Sequence, residues 1–157
     1  MSERALRVAA GVVALAGMAV AGYLTWVHYS GAAVICVASG GCETVQQSQY
    51  AELAGVPVAA LGLVAYTLVA CCVAWDEPVA RLVAAAIALV GLVFSAYLLV
   101  LQLFVIDAFC VWCLANDVVV APVLAVVTAL RLRSSEPGGE PWARRDRGSP
   151  RGSRRCT

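Results

Sequence analysis

The chain has 157 residues, 62% of them hydrophobic and only 13% charged, where an ordinary soluble domain carries about 25% charged residues. So much apolar surface cannot be hidden in one small soluble core, which excludes a soluble domain and points to an integral membrane protein. The net charge of +1 conceals an asymmetry: lysine is absent, arginine supplies all eleven basic side chains, and eight of these lie from Arg131 onward. No nucleic-acid partner is expected.

A membrane helix needs about 20 mostly apolar residues to cross about 30 Å of hydrocarbon. The first stretch that qualifies is residues 8–27, without a charge. It is longer than the apolar core of a signal peptide and three more spans follow, so it reads as a retained helix. His28 and Tyr29 close it as interface anchors.

Residues 28–55 form the first outer loop, with Cys36 and Cys42 separated by five residues. Residues 43–54 read as a short surface helix stopped by Gly55, with Val45, Gln49, Tyr50 and Leu53 along one side, able to lid a pocket. The piece Ala38-Ser39-Gly40-Gly41 gives the cysteine pair freedom to move.

The second span is residues 56–75, with Pro57 suited to its first turn. Cys71 and Cys72 within it read as small packing residues. The third span is residues 82–106, and the fourth is residues 110–130, which carries one acid, Asp117. The Arg-rich remainder, residues 131–157, cannot bury a core and is expected to be a disordered cytoplasmic tail able to touch anionic lipid. Cys156, within it, reads as inert.

Arginines sort the two sides. Arg4, Arg7, Arg81, Arg131 and Arg133 flank the spans, whereas neither residues 28–55 nor the link around Asp107 contains any. The positive-inside rule then places both termini in the cytoplasm and the two Arg-free connections outside. Cys36 and Cys42, with Cys110 and Cys113, thus share the oxidising side, where disulfides persist.

The run Phe109-Cys110-Val111-Trp112-Cys113 is the strongest chemical signal. A Cys-x-x-Cys pair closes readily into a disulfide and has tunable thiols. Cys110 is expected at a helix N-terminus, where free N–H groups and the helix dipole favour a thiolate. Cys113 lies one turn deeper, placed to meet a lipid-soluble partner. Two pairs at one surface can exchange disulfides through a mixed disulfide. The alternatives are a zinc site built from the four thiolates, for which the Cys36/Cys42 spacing is wide, and a non-enzymatic membrane protein in which the loop disulfide is a structural staple and Cys110/Cys113 bind a metal. Asp117, an acid inside a span one turn from Cys113, is a candidate proton relay, or else a hydrogen-bonded acid near the interface beside Asn116.

Taken together, Cys36 and Cys42, Ser48 six residues past Cys42, Gly55-Val56-Pro57 with Gly62, and Cys110-Val111-Trp112-Cys113-Leu114 resemble the bacterial homologues of vitamin K epoxide reductase over roughly residues 9–130. The resemblance implies an all-α membrane protein, a four-helix bundle around a quinone. It implies a thiol oxidase supporting disulfide formation, with menaquinone or ubiquinone as acceptor and a separate periplasmic DsbA-like thioredoxin-fold protein as donor. By the same resemblance Cys36 receives the electrons, Cys42 exchanges with Cys110, Cys113 faces the quinone and forms a transient adduct, and Ser48 helps hold the loop helix. The DsbB type of quinone-linked oxidase has its Cys-x-x-Cys in the first outer loop, the reverse of the order here. Vertebrate members bind quinone oxygens through an Asn and a Tyr; Val58 and Asp117 occupy the nearest positions here.

Overall fold

A computed structural model of the protein describes residues 2–36 and 41–135. Four helices are long and apolar enough to cross a membrane. The first, α1, spans Glu3–Ser30. Ser2 caps its start, accepting the Ala5 N–H at 3.3 Å. Gly31 ends it at φ 66°, returning its N–H to Val27, because a left-handed residue there turns the chain without a Cβ clash. The helix overruns the expected residues 8–27 at both ends.

The outer loop departs from expectation. Its helix, α2, covers only Gly41–Gln46. Beyond it Ser48 closes on Val45 through both its backbone N–H (3.3 Å) and its hydroxyl (2.8 Å). Strands β1 (Glu52–Leu53) and β2 (Val56–Pro57) then pair antiparallel. The two residues between them, Ala54 and Gly55, both have positive φ, 53° and 80°, as a two-residue hairpin turn of the right hand requires. The expected helix over residues 43–54 is therefore corrected. Val45 is buried, but Leu53 is exposed on the hairpin, so the apolar residues share no helical stripe. Pro57 lies in the strand just before the second spanning helix, not in its first turn.

The second span, α3, is Val58–Trp75. The third begins as α4, Pro78–Leu101, with its proline in the first turn, and ends in a wide π turn over Gln102–Ile106. The fourth comprises α5 (Val111–Ala115), a second π turn (Asn116–Val120) and α6 (Ala121–Ser135). Residues 131–135 thus continue a helix that was expected to have ended. The rest of the proposed tail, 136–157, lies outside the described residues, as do Cys156 and residues 37–40.

Small side chains let the helices close. Ala10, Ala14, Gly17 and Ala21 form the inward stripe of α1, against Tyr66, Val69 and Val73 of α3 and Leu124 and Val127 of α6. In lipid no hydrophobic force drives helices together, so close contact of small residues matters most. Gly17 is the tightest point: a Cβ there would meet the Tyr66 ring at 2.6 Å. Outward residues such as Val12, Leu15, Val64 and Val126 are exposed apolar groups suited to lipid.

At the end of the bundle where α1 begins and α6 ends, Asp76 caps α3 in the left-handed region, φ 55°. Its carboxylate meets Arg7 at 3.1 Å, Arg81 at 2.9 Å and Arg131 at 2.5 Å; Arg81 also pairs with Glu3 at 2.9 Å. Side chains from α1, α4 and α6 thus converge on one acid. Burial pushes the Asp76 carboxyl up, but the Arg81 hydrogen bond and the three guanidinium charges outweigh it and hold the carboxyl below its usual range.

Candidate active site

Cys36, Cys42, Cys110 and Cys113 gather at the opposite end. Cys110 is the N-cap of α5, and its sulfur accepts the Cys113 backbone N–H at 3.4 Å. The hydrogen bond from the Cys113 thiol pulls the Cys110 thiol down to about 7; burial opposes this, and the backbone N–H groups of Cys113 and Trp112 assist it. Cys36 and Cys42 are joined in a disulfide, while Cys110 and Cys113 are free thiols. Cys42 and Cys110 are the buried heart of one cluster with Val45, at 1% and 0% exposure, and Cys36, Trp112 and Cys113 pack around them. The half-buried Cys36 lies nearer solvent than Cys42. Sulfurs tied in a disulfide are not thiolate ligands, and among the described residues no group of three or more metal-binding side chains forms.

Two devices set this geometry, and neither was read from the sequence. The first is Gly41. A Cβ there would lie 2.6 Å from the Phe109 carbonyl oxygen and 2.9 Å from its nitrogen. The helix carrying Cys42 therefore rests directly on the backbone leading into Cys110. The second is an aromatic clamp on the residue before Cys36. Ile35 donates its N–H to the Tyr23 hydroxyl at 2.9 Å, and the Trp112 indole N–H donates to the Ile35 carbonyl at 2.8 Å. The Tyr23 and Trp112 rings lie 5.4 Å apart. His28 and Glu52, 3.2 Å apart, clip the hairpin to the end of α1.

Beneath the cysteines lies a cavity of about 570 Å³, lined by residues of the four spans and by Val45, Ser48, Tyr50 and Leu53 of the outer loop. Its wall is mostly apolar, as ligand pockets are. Cys113 lines it; Cys110 does not. Polar groups concentrate near Cys113: Tyr66, Ser95, Gln102, Asn116 and Asp117. Asp117 is buried, and it accepts hydrogen bonds from Asn116 (3.1 Å) and Gln102 (3.3 Å), with Ser95 a further partner. Gln102 also accepts the Cys110 backbone N–H at 3.3 Å, and Tyr66 donates to Asn116 at 2.5 Å. A hydrogen-bonded chain thus runs from Cys110 to the cavity wall.

The structure brings Cys36, Cys42, Cys110 and Cys113 to one site, with Ser48 and Asp117 on the cavity wall. Ser48 donates its hydroxyl to the Val45 carbonyl at the end of α2, and its own carbonyl accepts the Ala51 N–H at 2.9 Å. Val58 also lines the cavity, without a polar atom in its side chain. Cys71 and Cys72 sit near the far end of α3, away from the site. Sequence reading missed Tyr23, Gly41, Tyr66, Ser95 and Gln102. The available signal for Gln102 and Tyr66 was polarity inside an apolar span.

Comparison with known proteins gives one family: the sequence model of the vitamin K epoxide reductase family matches residues 8–128.

Proposed function

The chain belongs to the vitamin K epoxide reductase family, a family of membrane oxidoreductases that link disulfide chemistry to quinones, and from that premise we propose that it is a thiol:quinone oxidoreductase supporting disulfide formation. The observation carrying this reading is the placement of Cys110, packed with Cys42 on one side and bonded to Cys113 on the other, with Cys113 alone of the four on the cavity wall.

In the proposed cycle a reduced thioredoxin-fold protein, of DsbA type and on the outer side of a bacterial plasma membrane, reduces the Cys36–Cys42 disulfide and leaves oxidised. The Cys42 thiolate then attacks the Cys110 sulfur of a Cys110–Cys113 disulfide. The S–S bond breaks, the Cys113 thiolate leaves, and a Cys42–Cys110 mixed disulfide forms. Cys36 resolves it, re-forming Cys36–Cys42 and releasing Cys110. Cys110 and Cys113 then give two electrons and two protons to the quinone substrate and close again as a disulfide. A loop pair oxidised and a helix pair reduced is the state between exchange and quinone reduction.

Each chain element has a task in this reading. The N-cap site and the Cys113 hydrogen bond keep Cys110 substantially thiolate near neutral pH, as nucleophile or leaving group. The apolar cavity admits a menaquinone or ubiquinone ring and excludes water. Ser48 holds the loop over it, and Asp117 relays a proton. A quinone about 100 mV above the cysteine pairs supplies about 4–5 kcal/mol of direction. The Arg-free loop and the Arg-bearing end support outer-facing cysteines and cytoplasmic termini.

The test is purified protein with a reduced thioredoxin-fold donor and either quinone. Cys113→Ala should abolish quinone reduction, and Cys36→Ser should accumulate the Cys42–Cys110 mixed disulfide. Quinone reduction undiminished in Cys113→Ala would sink the proposal.

A further inference from the structure

The chain Tyr66–Asn116–Asp117–Gln102–Cys110 contains two carboxamides, and they are not equivalent. A carboxamide accepts at one end and donates at the other, so it ties together the hydrogen-bond directions of its neighbours. Gln102 is pinned. The Cys110 backbone N–H can only donate, so the Gln102 oxygen must face it and its NH2 group must face Asp117. Asn116 is not pinned, because the Tyr66 hydroxyl on its other side can donate or accept.

Asp117 decides between the two orientations of Asn116. When Asp117 is ionised, both its oxygens only accept. Asn116 must then turn its NH2 group to Asp117 and its oxygen to Tyr66, and the single Tyr66 proton is committed to Asn116, as found. When Asp117 is protonated, Oδ2 goes on accepting from the pinned Gln102 donor, and a proton on Oδ1 points at Asn116. Asn116 inverts, accepts from Asp117 and donates to the Tyr66 oxygen. The Tyr66 proton is released toward the cavity both residues line. Ser95 can donate in either state.

We infer that Tyr66 is the hydrogen-bond donor to a carbonyl oxygen of the quinone substrate, switched on by protonation of Asp117 through inversion of the Asn116 amide. The inference rests on the quinone-linked reading above and supplies the donor that Val58 cannot. The titratable groups around Asp117 are Tyr66 of α3 and Cys110 and Cys113 at the head of the fourth span. Its neighbours from the third span, Ser95 and Gln102, are neutral, and the stretches of α1 and α6 level with the cavity carry no charge. Gly17 fixes the switch in place, since any side chain there would displace the Tyr66 ring.

The test uses full-length protein with both cysteine pairs oxidised and menadione as the probe, titrated from pH 5 to 9 by quenching of tryptophan fluorescence. Wild type should bind about fivefold more tightly at the acid limit than at the alkaline limit, the worth of one net hydrogen bond. Asn116→Leu frees Tyr66 permanently, so binding should stay at the tight limit at every pH. Tyr66→Phe should stay at the weak limit at every pH. Asn116→Ala repeats the first arm with a smaller side chain, should leucine disturb the fold. Persistence of the wild-type pH dependence in either Asn116 variant or in Tyr66→Phe overturns the inference, as does menadione that fails to bind the wild type. Failure of the underlying reading is separate: it appears as wild type unable to reduce menadione at any pH with a reduced dithiol donor.

Discussion

Replacing Gly41 by alanine tests whether electron transfer between the two cysteine pairs depends on backbone contact. The added Cβ would sit 2.6 Å from the Phe109 carbonyl oxygen, about 0.8 Å short of ordinary contact at 3.4 Å. Its neighbour is backbone, not the end of a flexible side chain, so α2 and the segment leading into Cys110 must part by about that distance. Cys42 follows Gly41 and Cys110 follows Phe109, so the separation acts directly on the two sulfurs proposed to exchange. A misplacement of about 1 Å costs roughly a hundredfold where reacting atoms must be aligned. Reduction of the Cys36–Cys42 disulfide by an external dithiol should keep its wild-type rate, whereas formation of the Cys42–Cys110 mixed disulfide, tracked by rapid acid quench and gel shift, should slow by roughly ten- to a hundredfold. Gly91→Ala, where nothing lies within 4 Å, serves as control. Unchanged exchange in Gly41→Ala would refute the reasoning.

The same geometry sets other outcomes. Trp112→Phe keeps the ring beside Tyr23 but loses the N–H donated to Ile35, and should slow mixed-disulfide formation about fivefold, the worth of one hydrogen bond. With the Cys110 thiol near 7, alkylation of Cys110 by iodoacetamide should rise with pH to half its plateau near pH 7, and Cys113→Ala, which removes the largest stabilising hydrogen bond, should move that midpoint upward. Asp76→Asn removes the charge that three arginines share and should cost about 1–3 kcal/mol, discounted because Asp76 and Arg7 are partly exposed. A carboxyl held low in the folded state stabilises above its unfolded value and loses that contribution as pH falls through its folded value. The melting temperatures of wild type and Asp76→Asn in detergent should therefore differ at pH 7 and converge as pH falls through the lowered folded value of Asp76; a constant gap would contradict the assignment.

The spanning helices were legible because twenty uncharged residues leave little choice in a polypeptide of this composition, and the arginines separated the ends. The position of Cys110 at a helix start was legible from the break at Asp107 that precedes it. The hairpin was not. Ala54 carries positive φ, which alanine rarely adopts, and Glu43 through Ala54 otherwise reads as a helix. Gln102 and Tyr66 were passed over for a different reason. Each is one polar residue in a long apolar span, and nothing local says whether it faces lipid or neighbour; that depends on how α3, α4 and the fourth span are rotated against one another. Gly41 looked like slack in a flexible loop, yet its role is a close approach that only the folded partner backbone reveals.

The two π turns have a consequence for how such a protein can vary. Each holds one residue more than a regular turn, and in the fourth span, where helix continues beyond it, this offsets the register of the succeeding residues by about 100°. Gln102 opens one turn, and Asn116 and Asp117 open the other, at the boundary between the redox end and the packed shafts of the third and fourth spans. The fixed offset seats Leu124 in the bundle core while Asn116 and Asp117 stay on the cavity wall below Cys113. Deleting one residue of Val118-Val119-Val120 would remove that offset, forcing a choice between seating Leu124 in the bundle and keeping Asp117 on the cavity.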